Sequence, residues 1–504
     1  MKPSAIRDLR LRFGETQAQF GERFKVSQIT VAYWESGRSQ PARRRLDELA
    51  ALVSSATPVV QVMPPFRPIQ YLGSKQRLAA TIASVMQEVA PGQSRVGDLF
   101  SGSSVVSAVL GATRPVTAVD IQAYSTVLST ALLQGRKEPF LSLTNPTFRN
   151  RAEEIASKIS ESLGPLLTLE RKAIAEAGSG SPQHLVELIE FGSIAVCAQR
   201  PLDGTPLELA RMLDKVNRTL HANGLSAKDL TATRYFGGPY FSYSQAIALD
   251  ALYLAAKADA ATAPSALAVL LSVSSEIVNT VGKQFAQPMK LAKADGRIPH
   301  LLLQRALRDR SLNVFDEFDE WARRWAASVP ATGLAHAVVL GDAVQFVESD
   351  SSCEAWYADP PYTIDHYSRF YHVLETLSLR DAPRLDEMNK RGDPTVMRGV
   401  YRAGRYQSPF CIPSQASTAF GRLFAAAARR GTPLVLSYSP FNEEEGQRPR
   451  LLTLDEMTGI AKRHYRGVSV MEITDHSHRK LNSKSQNTGI RDDAERLIIC
   501  EASR

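Results

Sequence analysis

Cysteine is scarce: Cys197, Cys353, Cys411 and Cys500 are the only four in 504 residues, and no two form a CxxC pair. That spacing excludes a disulfide framework and a zinc ribbon, and it fits a reducing cytosol. Long apolar runs are missing as well. The longest, such as 266–273, fall far short of the roughly 20 residues that span a bilayer. The N-terminus places Lys2, Arg7, Asp8 and Arg10 where a secretion signal needs apolar residues, so a soluble intracellular protein without a membrane partner is expected. His476 and His478 stand without further candidate ligands, so no metal is expected. Neither an internal repeat nor a low-complexity tract is visible.

What is present is an ordinary globular composition, 44% hydrophobic and 22% charged, with a formal charge of +8. Excess positive charge favours a polyanionic partner, because nucleic acids are bound largely by neutralising phosphates. The length allows about two to four domains. Residues 1–53 show helical apolar spacing through Ile6, Leu9, Phe13, Phe20, Phe24, Ile29, Trp34, Leu46 and Leu49, with Ser27 as an N-cap and Gly37 as a stop. A stretch with Pro58, Pro64, Pro65 and Pro68 predicts a linker over 54–68. From Tyr71 the pattern is α/β. Strands are predicted over 94–100 and 116–120, around a Gly/Ser-rich turn and a helix over 105–110. Long helices follow over 146–330, and strands resume over 337–342, 355–359, 433–438 and 496–500.

The sharpest motif is Asp359-Pro360-Pro361-Tyr362, just after a predicted strand, where open α/β sheets build their sites. The plain alternative is a proline-rich turn closed by a packed tyrosine. The residue types suit activation of an exocyclic aromatic amine, whose lone pair is delocalised into its ring. The Asp359 carboxylate and the Pro360 carbonyl can each accept one amino hydrogen, and the two prolines stiffen the turn. Tyr362 offers a face for an extruded base. A second motif, Asp98-Leu99-Phe100-Ser101-Gly102-Ser103, lets backbone approach a ligand closely, and Asp120, 22 residues after Asp98, is spaced to bind ribose hydroxyls. It lacks the full GxGxxG, and a tight structural turn is the alternative. The third, Tyr71-Leu72-Gly73-Ser74-Lys75, says little alone.

In this order the three motifs resemble those of the alpha-group DNA adenine-N6 methyltransferases, where a YLGSK- or AGGK-like segment precedes DxFxGxG, a target-recognition domain and DPPY. The resemblance spans residues 67–504. It implies an α/β, Rossmann-like methyltransferase sheet, mostly parallel with one antiparallel strand, in two parts, 69–145 and 331–504, around a helical target-recognition insert, 146–330. It implies S-adenosylmethionine as cofactor, held by Tyr71, Gly73, Lys75, Asp98, Phe100, Gly102, Ser103, Asp120, Ile121 and Asp342. Catalysis falls to Asp359, Pro360, Pro361 and Tyr362, on adenine in double-stranded DNA. Ser103 and Ser104 stand where the family often has glycine. No cysteine follows a proline, as attack on carbon 5 of cytosine would need, and aspartate rather than serine or asparagine at position 359 favours adenine in DNA. His366, Tyr367, Arg369 and Phe370 are expected to shape the base pocket.

The N-terminal segment resembles a Cro/repressor-type helix-turn-helix, in which Gln17, Gln28, Thr30 and Tyr33 would face the major groove. Ten basic residues against six acidic ones before position 50 agree, and a small protein-binding module is the alternative. Such modules commonly act as dimers, so a homodimer is one expectation. A basic, aromatic, glycine-containing stretch over 390–410 is read as a mobile DNA-contact loop carrying Arg398, Tyr401, Arg402, Arg405 and Tyr406, with Lys484 at a further phosphate-facing site. The expected protein is thus a site-specific adenine methyltransferase of a prokaryote or phage, cytoplasmic and nucleoid-associated. A DNA-binding regulator with an inactive methyltransferase domain, and an RNA adenine methyltransferase, stay open as alternatives.

Overall fold

The computed structural model describes residues 66–439, 451–473 and 495–502, apart from 72, 74, 331, 365, 391 and 392, together with 6, 10, 17–36, 38–46, 48 and 49. Leu9, Phe13, Gly37, Leu72, Ser74, His476, His478 and Lys484 therefore lie outside the described residues. The chain forms two compact units, Met1–Pro65 and Phe66–Arg504. Phe66 packs edge-on against Trp325, ring centroids 4.9 Å apart, and belongs to the second unit.

In the first unit, helices Gln17–Arg23 and Gln28–Ser36 close over Ile6, Phe20, Phe24, Val31, Trp34 and Leu49. Ser27 is the N-cap of the second helix, its Oγ 3.3 Å from the Thr30 amide. Ile29, read from its spacing as a core residue, is instead 63% exposed, on the same helix as exposed Tyr33. Val31 and Trp34 supply the buried face. Gly21 is required where the helices meet, because a Cβ there would lie 2.6 Å from the Val26 carbonyl oxygen. Lys25, in the turn, has φ 53°. Left-handed backbone costs a non-glycine residue about 1–2 kcal/mol, and glycine's extra unfolded-state entropy offsets part of that. Lys25→Gly is therefore expected to stabilise the N-terminal unit by about 0.5–1 kcal/mol, read as a raised denaturation midpoint.

The second unit has nine strands among the described residues: β1 Val96–Leu99, β2 Val116–Asp120, β3 Ala337–Leu340, β4 Ala355–Ala358, β5 Glu387–Lys390, β6 Asp393–Val396, β7 Leu434–Tyr438, β8 Gly467–Ile473 and β9 Glu495–Glu501. Seven form one sheet in the order β3-β2-β1-β4-β7-β9-β8. β3, β2, β1, β4 and β7 run parallel, and β9 alone opposes both its neighbours. β5 and β6 form a separate hairpin.

The central strands carry apolar runs because both sheet faces are covered. Alternate residues serve opposite cores: Leu434 and Leu436 pack with Phe420, Leu423 and Phe424, whereas Val435 packs with Ile82, Met86 and Leu110. Between β2 and β3 lie the helices over 137–328, with a core containing Phe318 and Trp325. Chain order reverses at β1, which has β2 on one side and β4 on the other. Ligands of open α/β sheets bind beyond the carboxyl ends of strands at such a point. No helix among the described residues is long and apolar enough to cross a membrane.

Candidate active site

β1 and β4 pair with Leu99 opposite Ala358, so the next residues, Phe100 and Asp359, leave the sheet side by side. The Asp359 amide reaches the Leu99 carbonyl at 3.4 Å. Lys75, delivered by the segment before the helix Ala79–Val89, is buried with its Nζ 3.0 Å from Asp359 Oδ1 and 3.2 Å from Glu495 Oε1. Ser437 donates to Glu495 Oε1 at 2.7 Å. Burial works against the ammonium charge, but Asp359 and then Glu495 overcome it and hold the Lys75 pKa above the usual lysine value. Burial pushes the Asp359 carboxyl up to about 6, with Lys75 opposing the rise and Glu495 adding to it.

Two adjoining clefts open at this edge and share Tyr71 and Phe100. The smaller, about 310 Å³, is lined by Gly73, Lys75, Asp98, Ser101, Ser103 and Asp359 among others. Asp98 accepts a hydrogen bond from Ser107, yet burial still raises its carboxyl pKa to about 7. The larger, about 640 Å³ and open to solvent, is lined by Asp120, Ile121, Gly341, Asp342, Pro361, Tyr367 and Tyr406 among others. Asp120 accepts from the Gly102 amide at 2.8 Å and the Gln122 amide at 2.9 Å. Burial raises its pKa and these amides oppose the rise. The Ser125 hydroxyl and the Ile121 amide also donate to this carboxylate and oppose the rise.

The turn between the clefts leaves no room for a side chain at Gly102. Phe100, Gly102 and Ser104 have φ 62°, 53° and 60°. A Cβ on Gly102 would lie 2.5 Å from the Tyr71 hydroxyl oxygen, and the Tyr71 ring is stacked on Tyr371 at 4.8 Å. Tyr362 packs against Tyr438, ring centroids 5.1 Å apart, with Lys75 Nζ 5.9 Å from its own. Pro360 is buried behind the turn.

The described residues of the basic stretch over 390–410 start at the β5–β6 hairpin, and Val396 and Val400 pack into the core. Tyr401 is 1% exposed, accepting from Arg369 Nε at 2.8 Å and donating to the Ala286 carbonyl. Arg398 pairs with Glu190 at 3.3 Å, Arg402 with Asp381 at 2.5 Å and Arg405 with Asp386 at 2.9 Å. Tyr406, read as a DNA contact, lines the larger cleft with its hydroxyl 3.5 Å from Asp342 Oδ2. In the first unit Gln17 Nε2 donates to Glu35 Oε2 at 2.8 Å, Thr30 meets Ser27, and Gln28 and Tyr33 are exposed.

Glu495 was missed. Its signal was an acid at the start of a strand whose middle, Leu497 to Cys500, is apolar, and it gains meaning only once β9 is known to run antiparallel. Its first residue then lies at the same edge as the last residues of β1 and β4. Among the described residues no group of three or more His, Cys, Asp or Glu could hold a metal ion.

Residues 71–157 match the family model of the D12 class of N6 adenine-specific DNA methyltransferases. The matched segment supplies Tyr71, Lys75, Asp98, Gly102 and Asp120, and it supports an enzyme that methylates adenine in DNA. It ends before the Asp359 turn and begins after the N-terminal unit. No curated protein and no solved structure matches the chain.

Proposed function

We propose that the chain is a site-specific DNA methyltransferase acting on N6 of an adenine swung out of the duplex, with S-adenosylmethionine as donor. The observation that carries this reading is the meeting of Lys75 and Asp359, 284 positions apart, at 3.0 Å on the floor of a cleft at the β1–β4 switch point.

The clefts fit the cofactor by their donors. Asp120 ends β2 and Asp342 follows β3, both at the larger cleft, suited to ribose hydroxyls and to an adenine amine. Asp98 in the smaller cleft suits an ammonium group. Gly102 leaves the space that a Cβ would fill. Bound there, S-adenosylmethionine supplies an electrophilic methyl group. The protein's own residues do the rest. Asp359 and the Pro360 carbonyl each accept one amine hydrogen, which turns the nitrogen lone pair out of the ring. Lys75 holds the carboxylate in place, and Tyr362 gives the base a stacking face. The amine gains a methyl group and loses one proton, which Asp359 is placed to receive. The first unit adds a second DNA contact through Gln28, Thr30 and Tyr33. Arg398, Arg402 and Arg405 meet phosphates once these displace their present carboxylates, and Lys484 adds another contact.

Incubation with duplex DNA and tritiated donor, followed by digestion to nucleosides, should place the label on N6-methyladenine. Label on cytosine, or preference for RNA, refutes the reading. The acid side of the pH profile follows from the two carboxyls. Protonation removes the acceptor at Asp359 and the anion at Asp98, so activity is lost as pH falls. Log kcat/KM for the cofactor is expected to drop with unit slope below pH about 7 and more steeply below about 6.

A further inference from the structure

Glu495 is a buried charge at this edge that the proposed reaction does not use. It does not line the smaller cleft, whereas Lys75 and Asp359 both do. It touches Lys75 Nζ at 3.2 Å, alongside the 3.0 Å contact of Lys75 to Asp359, and Ser437 donates a hydrogen bond to it at 2.7 Å. The trio so formed carries one positive and two negative charges in a buried setting, where a charge acts over several ångströms. Were Lys75 needed only to hold Asp359, a single carboxylate would suffice. The second leaves the cleft floor more negative than an isolated ion pair would.

The methyl donor carries a sulfonium charge that its thioether product lacks, while the two share the same ammonium, carboxylate and adenosine. Only the sulfur distinguishes them electrostatically. We infer that Glu495, acting through Lys75, sets a negative potential in the cleft that makes it select the cationic donor over the neutral product. Glu495 is a positioning and charge-setting residue rather than a catalytic one. The same charge favours the positive character that the amine acquires during transfer, and it limits product inhibition. This inference rests on the methyltransferase reading above.

The test is calorimetric. Dissociation constants for S-adenosylmethionine and S-adenosylhomocysteine are measured at pH 8, where Asp359 is ionised, on the full chain and on Glu495→Gln. The variant is expected to shift the ratio of the two constants about tenfold toward the product, the scale on which one unit charge acts across several ångströms of protein. Product affinity itself should stay within about twofold. Glu495→Asp, which keeps the charge, should restore the ratio. A structural role alone would weaken both ligands together, so an unchanged ratio overturns the inference. If Glu495→Gln fails to fold, Ser437→Ala, which frees the carboxylate from its anchor, should move the ratio in the same direction by less, and no movement overturns it. Failure of the unmodified chain to bind either ligand overturns the proposed function with it. Binding of both with an unmoved ratio overturns the inference alone.

Discussion

Asp359→Ala is expected to slow methyl transfer by on the order of a thousandfold while leaving DNA affinity within a small factor. The size follows from what the carboxylate does: a preorganised acceptor aimed at a reacting group contributes most in the transition state and little to ground-state binding. The fold should survive for a reason particular to this site. Lys75 is flanked by two carboxylates, so losing Asp359 leaves it paired with Glu495 at 3.2 Å rather than stranded. Lys75→Ala is the poorer experiment. It leaves two acids facing each other without their cation, and breaking a buried pair commonly costs about 3–5 kcal/mol. Single-turnover rates at saturating DNA and cofactor, measured beside DNA affinity, check the prediction. Loss of binding in step with rate would show that Asp359 serves docking, and the assigned chemistry would fail.

How much of this was legible in the chain depended on burial. β1, β2, β4 and β7 are covered on both faces, so they appear as apolar runs, and their predicted positions fall within two residues of the observed ones. β8 lies at the sheet edge with most of Gly467–Ile473 exposed or half-exposed, and its residues carry no burial signal. The β5–β6 hairpin is polar and holds Pro394, which argues against a central strand and is tolerated in this isolated pair. At the site, contiguous motifs were readable because one strand end displays them together. Contacts that depend on distant pairing were not. Glu495 needed the direction of β9. The internal ion pairs of Arg398, Arg402 and Arg405 needed Glu190, Asp381 and Asp386 to be brought beside them, and a run of basic residues looks the same whether it faces phosphates or carboxylates.

The turn at Gly102 gives the second large effect. Gly102→Val should raise the dissociation constant for S-adenosylmethionine roughly a hundredfold, the penalty that a displacement of about 1 Å can bring. Two strains combine there. The backbone sits at φ 53°, where a β-branched residue is a steric outlier. The new Cβ would also start 2.5 Å from the Tyr71 hydroxyl oxygen. Tyr71 has no easy retreat, because its ring is stacked on Tyr371, whose ring lies 5.3 Å from that of Tyr124. Relief therefore has to come from the turn, which pulls the Gly102 amide away from Asp120 and moves the acid that the ribose is proposed to meet. The sheet beneath should be untouched, since β1 and β2 pair through Val96–Leu99 before the turn begins. Calorimetric titration with the cofactor, beside thermal denaturation of the same variant, separates the two consequences. A weakened cofactor with a little-changed melting temperature is expected. Unaltered cofactor affinity would mean that the Gly102 turn is not the cofactor's cradle, and the assignment of both clefts would have to be withdrawn.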